Sequence, residues 1–412
     1  MNLQTSVSLS ASKLPSRLRM GLAATWLAAA AVITGCGGGG SDGGLATVTP
    51  SGTTPSAYTQ GTITGFGSVI VNGVRFDDTS ATVTDDAGNT QALSALKLGM
   101  RVEVDSGKVD GTTATATAHA FRFGGQVLGP VTAVNTTANT LTVLGQTVDI
   151  TSTTVFDTTL SGGLTAVTPG AVIEVHGLPD AATGHIVATR VESETGATAY
   201  KLRGTVASLD TTAKTFSIGG ASISYASLAS TAVPSTLANG VTLRVVLATT
   251  AVNGVWTAQS LGVKVPKPAE NSQAQVRGAI TAFTSATSFT VDGVVVDATN
   301  ATFPDGSSGL ALGVQVEVDG TVTNGVLVAT KVEIESRHAD DDSHKMQLHG
   351  AITALDTTAK TFVVRNVTVT YSDTTTYVNG TVASLAVGAN VDVKGGVGST
   401  RTQVLASQIT FR

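Results

Sequence analysis

The chain has 412 residues, of which 42% are hydrophobic, 13% are charged and 46 are glycine, and its formal net charge at pH 7 is −5. Global disorder is excluded, because it requires low hydrophobicity and high net charge. The charged fraction of 13% is about half of the roughly 25% found in an average soluble protein. Nucleic acid is not an expected partner, because the sequence has no cluster of Lys and Arg that could displace the counterions of phosphates.

Residues 1–35 have the composition of a lipoprotein signal peptide. Basic residues precede the apolar run MGLAATWLAAAAVI, whose 14 residues are fewer than the roughly 20 that a helix needs to cross a bilayer. The run ends in ITGC, which resembles the bacterial lipobox, so we expect Cys36 to be lipidated and to anchor the protein in the membrane. Gly37 after it indicates the outer membrane, with the folded part on its periplasmic or surface face. The alternative is a plain secretory signal with an incidental cysteine.

Residues 36–57 are rich in Gly, Ser, Thr and Pro, which predicts a flexible tether. Because Cys36 is the only cysteine of the chain, disulfide bonds cannot stabilise the mature domains. Burial and hydrogen bonds must therefore hold the folded part together.

The remainder of the chain is an internal repeat, marked by two rows of glycines. One row lies in an opening strand, at Gly61, Gly129, Gly204, Gly278 and Gly350. The other precedes a segment like VEV, at Gly99, Gly170, Gly240, Gly313 and Gly388. Both rows repeat at 68 to 75 residues and predict five modules. The modules span 58–123, 124–195, 199–266, 273–336 and 346–412, with an acidic, histidine-containing linker at 337–345.

Each module has the pattern of about five β-strands. Apolar residues alternate with Thr or charged residues, and turns such as Asn72-Gly73 and Asp292-Gly293 are typical of two-residue hairpins. The phenylalanines Phe216, Phe289 and Phe362 recur at one strand position and are predicted to pack in the cores. The order is a three-stranded meander, a link and a hairpin, and closure into a barrel removes the sheet edges of so small a module. The predicted fold class is all-β, with five tandem small OB-like barrels; a small open sheet or an SH3-like roll is the alternative.

The repeat resembles a known family. The pattern G-x-I-T-x-h, then F-T-V-x-G, L-x-x-G-x-x-V-E-V-x-G and h-x-A-x-x-h (h, hydrophobic), in several copies behind a lipobox, is similar to the bacterial domain of unknown function 5666 family. The resemblance covers nearly all of 58–412, most closely 276–334 and least closely 199–266, where Arg244 replaces an acidic residue. It implies secreted or lipid-anchored envelope proteins with small β-barrel repeats, and it brings no catalytic residues to this sequence.

Two sets of polar residues are candidates for sites. The linker contains the possible metal ligands His338, Asp340, Asp342 and His344, although a charged linker between modules commonly serves only to stay solvated. An acidic residue recurs in the fourth strand of four modules, as Glu103, Glu174, Glu317 and Asp392. Alternation predicts that it faces solvent, as a guard on an edge strand or as a ligand-facing carboxylate, and Arg244 indicates that the position tolerates charge reversal.

No catalytic constellation recurs in the modules, and the G-x-S-x-G sequence at 39–43 lies in the tether. The sequence therefore predicts a non-enzymatic, lipid-anchored envelope protein that acts as a spacer or interaction array and needs no cofactor. Its expected partners are the membrane, through Cys36, and envelope proteins or polymers. The alternative is an envelope lipoprotein that binds a small molecule, a carbohydrate or a metal.

Overall fold

The computed structural model describes residues 57–180, 182–262, 268–335 and 345–412. The predicted signal peptide, the lipidation site Cys36 and the four candidate metal ligands of the linker lie outside these ranges, so what was predicted for them stays a prediction. The described residues form β-strands joined by turns and short 3-10 helices, and they contain no α-helix.

The strands follow the predicted repeat along the chain. Module 1 contains β1 (Ala57–Phe66), β2 (Val69–Val71), β3 (Val74–Asp77), β4 (Thr82–Asp85), β5 (Thr90–Gln91), β6 (Arg101–Ser106) and β7 (Thr115–Phe123). Module 2 contains β8 (Val127–Asn135), β9 (Thr140–Val143), β10 (Gln146–Asp149), β11 (Val155–Phe156), β12 (Val172–Asp180) and β13 (His185–Ser193). Module 3 contains β14 (Tyr200–Asp210), β15 (Thr215–Ile218), β16 (Ala221–Ser224), β17 (Thr242–Leu247) and β18 (Val255–Gly262).

The last two modules repeat this arrangement. Module 4 contains β19 (Gln273–Ser285), β20 (Ser288–Val291), β21 (Val294–Asp297), β22 (Gln315–Thr323) and β23 (Val326–Ile334). Module 5 contains β24 (Met346–Asp356), β25 (Thr361–Val364), β26 (Val367–Thr370), β27 (Thr376–Val378), β28 (Asn390–Val397) and β29 (Val404–Phe411). Short 3-10 helices lie at Leu93–Ala95, Thr158–Leu160, Gly163–Ala166, Ser230–Ala232 and Val382–Ser384.

Every module closes into a barrel by the same strand pairing. In module 4, β19 pairs antiparallel with β20 and β22, β20 with β21, and β22 with β23. The barrel closes where β21 and β23 pair in parallel, with Val296 opposite Leu327. The equivalent parallel pair closes modules 1, 2, 3 and 5. The predicted fold class of tandem OB-like barrels is therefore confirmed, and the closing pair excludes the open sheet.

Backbone geometry explains the residues found in the hairpin turns. Asn72 and Gly73 have φ of 49° and 76°, and Asp292 and Gly293 have φ of 48° and 93°. Both positions of such a turn need positive φ, which Gly, Asn and Asp adopt at little cost. The turns thus fix the register of the meander in each barrel.

Alternate residues of the strands fill the barrels. The recurrent phenylalanines Phe216, Phe289 and Phe362 are 2%, 3% and 1% exposed, as predicted for core residues. The buried side chains of modules 2 and 3 form one continuous apolar cluster, and those of modules 1 and 5 form another. The cluster of module 4 also includes Tyr58 from β1 of module 1. The cores of different modules are therefore in contact.

The modules also share hydrogen-bonded strands. Within 57–60, β1 runs parallel to β19 of module 4, and at Gly65 and Phe66 it runs parallel to β24 of module 5. In the other sheet, β8 of module 2 pairs antiparallel with β14 of module 3. The described modules therefore form one packed body, which the repeat pattern did not predict.

The acidic residues of the fourth strand lie on the outer face of their barrels, as alternation predicts, but the prediction that this strand is an edge strand is wrong. Each fourth strand is hydrogen-bonded on both sides, as β6 is to β1 and β7, so closure of the barrel leaves it no edge. Glu103, Glu174, Glu317 and Asp392 point away from their own cores, but all four are half-buried by neighbouring groups. Burial, with the charge of Asp319 beside it, raises the pKa of Glu317 to about 7.

Candidate anion-binding site

A cavity of about 70 Å³ lies at the junction between modules 1 and 3. Strands β1, β6 and β7 of module 1 form one side of it, and strands β14 and β17 of module 3 form the other. Four arginines and two carboxylates line this cavity: Arg101, Arg122, Arg203, Arg244, Asp86 and Glu103. All of them come from outward-facing or turn positions, because the inward positions hold the apolar cores.

Arg101 is buried at the base of this junction. Its Nη2 lies 2.6 Å from Oδ2 of Asp292, in the hairpin turn of module 4, and the two side chains are 10% and 7% exposed. Burial lowers the pKa of Arg101, while the charge of Asp292 acts in the opposite direction. Gln60 lies 3.4 Å from the same carboxylate oxygen through its Nε2. Arg101 Nη1 and Gln60 Oε1 have no hydrogen-bond partner among the residues that the structure describes.

Module 3 is fixed to module 1 through Asp86, which follows β4. Arg244 binds both the carboxylate and the backbone carbonyl of Asp86, and Lys201 Nζ lies 2.9 Å from its Oδ1. Arg244 replaces the acidic residue of the other modules, and the sequence was interpreted as showing tolerance of either charge at that position. The structure corrects this interpretation, because the arginine makes a specific contact between modules.

Arg122 is neutralised within module 1. Its Nη2 lies 2.6 Å from Asp105 Oδ2, and its Nε lies 3.3 Å from Glu103 Oε2. Burial lowers the pKa of Arg122, but the charges of Asp105 and Glu103 outweigh it, so that the pKa is raised overall. The charge of Arg122 on the wall of the cavity is therefore already balanced by carboxylates of its own module.

Arg203 differs from the other three arginines. It lies directly opposite Arg244 on the neighbouring strand, a like-charge pair that is unfavourable without a counter-charge. Its Nη2 donates to the backbone carbonyl of Asp292 at 3.3 Å, and no carboxylate in the described part of the chain lies within ion-pair distance of it. Arg203 thus supplies a positive charge that the surrounding acids do not balance.

This arrangement can hold one small anionic group. The guanidinium fork of arginine matches the oxygens of carboxylate and phosphate and binds them in a bidentate manner. Pockets for whole drug-sized ligands measure about 300–1,000 Å³, so a cavity of about 70 Å³ accommodates an anionic group of a ligand and not a large ligand entire.

Sequence reasoning missed this site because its residues come from two separate segments of the chain, 60–125 and 203–244. The one signal in the sequence was the exchange of an acidic residue for Arg244 in module 3. Possible metal ligands come together elsewhere, on the outside of module 2, where atoms of Glu174, His176 and Glu192 lie within 4.8 Å of one another. Glu174 was singled out from the sequence as part of the acidic row, whereas His176 and Glu192 were not.

Comparison with known proteins identifies the repeat. A family model described as domain of unknown function (DUF5666) matches residues 60–118, 129–192, 277–333 and 349–410, together more than half of the chain. Module 3, in which the sequence pattern is weakest, is not among the matched segments, although it forms the same barrel.

Other comparisons add little. No curated protein matches the chain. A solved structure described as drosophila Unr CSD456 matches with 14% sequence identity and a TM-score of 0.14, covering 53% of this chain and 99% of that one. A TM-score this low supports no inference about function. None of the helices in the described residues is long and apolar enough to cross a membrane. On the strength of its four matched repeats, the chain belongs to the DUF5666 family.

Proposed function

We propose that this protein is a lipid-anchored envelope protein whose packed barrels bind a ligand bearing a carboxylate or phosphate group, without transforming it. The observation that carries the proposal is Arg203, a cation without a carboxylate partner in the described residues, placed opposite Arg244 in a cavity. A bound anion would neutralise this pair and would supply hydrogen-bond acceptors to the guanidinium groups.

The composition of the cavity supports binding without catalysis. Its described lining contains no His, Ser, Cys or Lys that could act as a nucleophile or as a base near neutral pH. The carboxylates Asp86 and Glu103 are held in ion pairs with arginines. Thr242 is the one hydroxyl-bearing residue of the described lining, and that lining supplies no histidine or lysine to activate it as a nucleophile.

The packing of the modules favours a binding body over an extended spacer. An extended spacer needs modules that lie one after another in a row. Here β1 pairs with β19 and β24, which follow it by more than 200 residues, so modules distant in sequence are in contact. The lipobox-like sequence at Cys36 supports attachment to the membrane. Envelope polymers or envelope proteins that carry carboxylate or phosphate groups are then the partners within reach.

Binding of small anions to the full-length protein tests the proposal. We expect inorganic phosphate or acetate, added at constant ionic strength with chloride as the reference salt, to raise the thermal unfolding midpoint in a saturable manner. The two anions distinguish a phosphate site from a carboxylate site. Replacing Arg203→Gln should weaken the effect at least about tenfold, because a hydrogen bond to a charged group contributes about 1.5–3 kcal/mol.

Arg365→Gln is the matched control, since Arg365 is exposed in a hairpin turn of module 5. It should leave the anion effect unchanged. Equal responses of the Arg203 and Arg365 variants, or no saturable effect of either anion on the unmodified protein, would show that this cavity is not the binding site.

A further inference from the structure

A cluster on the outside of module 2 is built like a metal site. Ile173 and Val175 of β12 are fully buried in the barrel, so Glu174 and His176, which alternate with them, share the outer face. Glu192 of β13 lies directly opposite Glu174 in the antiparallel register and projects on the same side. One potential ligand atom from each of the three lies within 4.8 Å of the others.

His176 is the unusual member of this cluster. Its side chain is 0% exposed, and neither Nδ1 nor Nε2 has a hydrogen-bond partner among the described residues. Buried polar groups are nearly always satisfied, and leaving one unsatisfied is destabilising. An imidazole in this state points to a partner that is not one of the described residues.

The distance between His176 and Glu192 indicates what that partner is. Nε2 lies 3.4 Å from Oε2 of Glu192, longer than the roughly 2.7–3.2 Å of an N–H···O hydrogen bond. Two ligands bound tetrahedrally at about 2.0–2.2 Å from one zinc ion are separated by roughly 3.3–3.6 Å. The pair is therefore spaced as two ligands of one ion are.

Both carboxylates are held in place by neighbouring groups. Glu174 Oε1 accepts a hydrogen bond from the backbone N–H of Gly125 at 2.8 Å. Glu192 Oε1 lies 2.9 Å from Arg190 Nη2, while its Oε2 is the oxygen that faces His176. Such outer contacts orient carboxylate ligands in metal sites and leave the second oxygen for the ion.

The local charge favours a cation. Arg190 balances Glu192, but the carboxylates of Glu174 and Glu194 lie nearby and repel it. This repulsion among three carboxylates is what a divalent ion relieves.

The equivalent strands of module 4 carry polar residues at the same positions but lack the histidine. Glu317, Asp319 and Glu333 occupy the positions of Glu174, His176 and Glu192 in the strand register. There Lys331 lies between them, with Nζ 3.4 Å from Asp319 and 3.0 Å from Glu333. Lys331 lies opposite Asp319 as Arg190 lies opposite His176, so both modules have a cation at this position, and the histidine is what distinguishes module 2.

We propose that Glu174, His176 and Glu192 bind a divalent transition-metal ion of the Zn²⁺ class. One imidazole nitrogen with two carboxylate oxygens suits Zn²⁺, Co²⁺ or Mn²⁺ better than Ca²⁺, which takes six to eight oxygens. Three protein ligands leave a position for water or for a group of another molecule. Arg190 also donates to the carbonyl of Leu98 at 3.1 Å, so the ion would reinforce the contact between modules 1 and 2.

The experiment uses full-length protein carrying His338→Ala and His344→Ala, which removes the linker histidines as competing ligands. Titration with ZnCl₂ against a chromophoric chelator should show one tightly bound equivalent. Glu174→Gln and Glu192→Gln should each weaken Zn²⁺ binding at least about 100-fold, since even outer-shell changes cost 10–100-fold. Co²⁺ should give a visible absorption band of a four-coordinate site that both variants lose.

Two substitutions serve as matched controls. Glu333→Gln alters the carboxylate of module 4 that is equivalent to Glu192. His185→Gln removes another histidine of the β12–β13 hairpin, whose Nδ1 lies 2.8 Å from Asp149 Oδ1. Both should retain the Zn²⁺ equivalent, and circular dichroism should show that every variant is folded.

Three results would overturn the proposal. The first is that the linker variant no longer binds Zn²⁺, which places the metal on the linker. The second is that the glutamine variants of Glu174 and Glu192 keep full affinity. The third is that Co²⁺ gives no absorption band of a four-coordinate site, which leaves His176 and Glu192 as a pair without a metal ion. The glutamine variants keep the test valid should substitution of the buried His176 prevent folding.

Discussion

At the scale of single residues, the two rows of repeated glycines have different physical causes. In the opening strands of modules 1, 2 and 4, glycine makes room for the side chain of the first residue in the turn between the second and third strands. A Cβ at Gly61 would lie 2.0 Å from Asn72 Oδ1, and one at Gly129 would lie 2.5 Å from Leu144 Cγ. The second row needs glycine for its backbone, since all five members have positive φ: Gly99 82°, Gly170 89°, Gly240 88°, Gly313 83° and Gly388 93°.

Gly99 and Gly388 separate backbone strain from contact between modules. Their φ values are 82° and 93°, but a Cβ at Gly388 meets nothing within 4 Å, whereas one at Gly99 would lie 2.5 Å from the carbonyl of Thr189 in module 2. Gly388→Ala should lower the free energy of unfolding by about 1–2 kcal/mol, the cost of left-handed backbone. Gly99→Ala should cost clearly more. Denaturant unfolding measures both, and equal losses would mean that modules 1 and 2 are not in contact at this point.

At the scale of elements, β1 is the strand that joins modules. It has ten residues, and those at its start, Ala57 to Gln60, are all buried, since β6 pairs with one edge and β19 with the other. Its Tyr58 belongs to the apolar cluster of module 4. A strand that pairs within its own barrel and also extends another sheet is buried on more sides than its alternating pattern indicates.

Tyr58 provides a test of this shared strand. The side chain is 2% exposed, and its hydroxyl has no hydrogen-bond partner in the described residues. Tyr58→Ala should destabilise the protein by about 3–5 kcal/mol, the usual cost of removing a buried aromatic ring. Tyr58→Phe should be neutral or stabilising, because it removes an unsatisfied polar atom and keeps the ring. The unfolding midpoints of the two variants give the comparison; a mild effect of the alanine would show that β1 does not pack on module 4.

At the scale of the whole molecule, the barrels were predictable and their assembly was not. Alternation, turn residues and the glycine rows recur in all five modules, so the same fold can be predicted independently from each copy. Contacts between modules depend on residues that occur once in the repeat, such as Arg101 and Asp86, whose partners come from distant segments. The anion site and the metal ligands lie on such surfaces. Repetition therefore revealed the fold, whereas for the sites it offered only the exchange at Arg244 and the recurrent acidic residue Glu174.

The ion pair between Arg101 and Asp292 tests the assembly, because it joins modules 1 and 4 and both side chains are at most 10% exposed. Removing one partner of a buried pair leaves an uncompensated charge, so Arg101→Gln and Asp292→Asn should each cost about 3–5 kcal/mol. The double variant buries two neutral amides and should cost much less than the sum, which gives a large coupling energy. Asparagine suits position 292, because the residue there has φ of 48°. Denaturant unfolding of the four proteins completes the cycle. If the modules did not pack against one another in solution, both side chains would be exposed. The coupling energy between Arg101 and Asp292 would then fall below about 1 kcal/mol, the value for a surface pair.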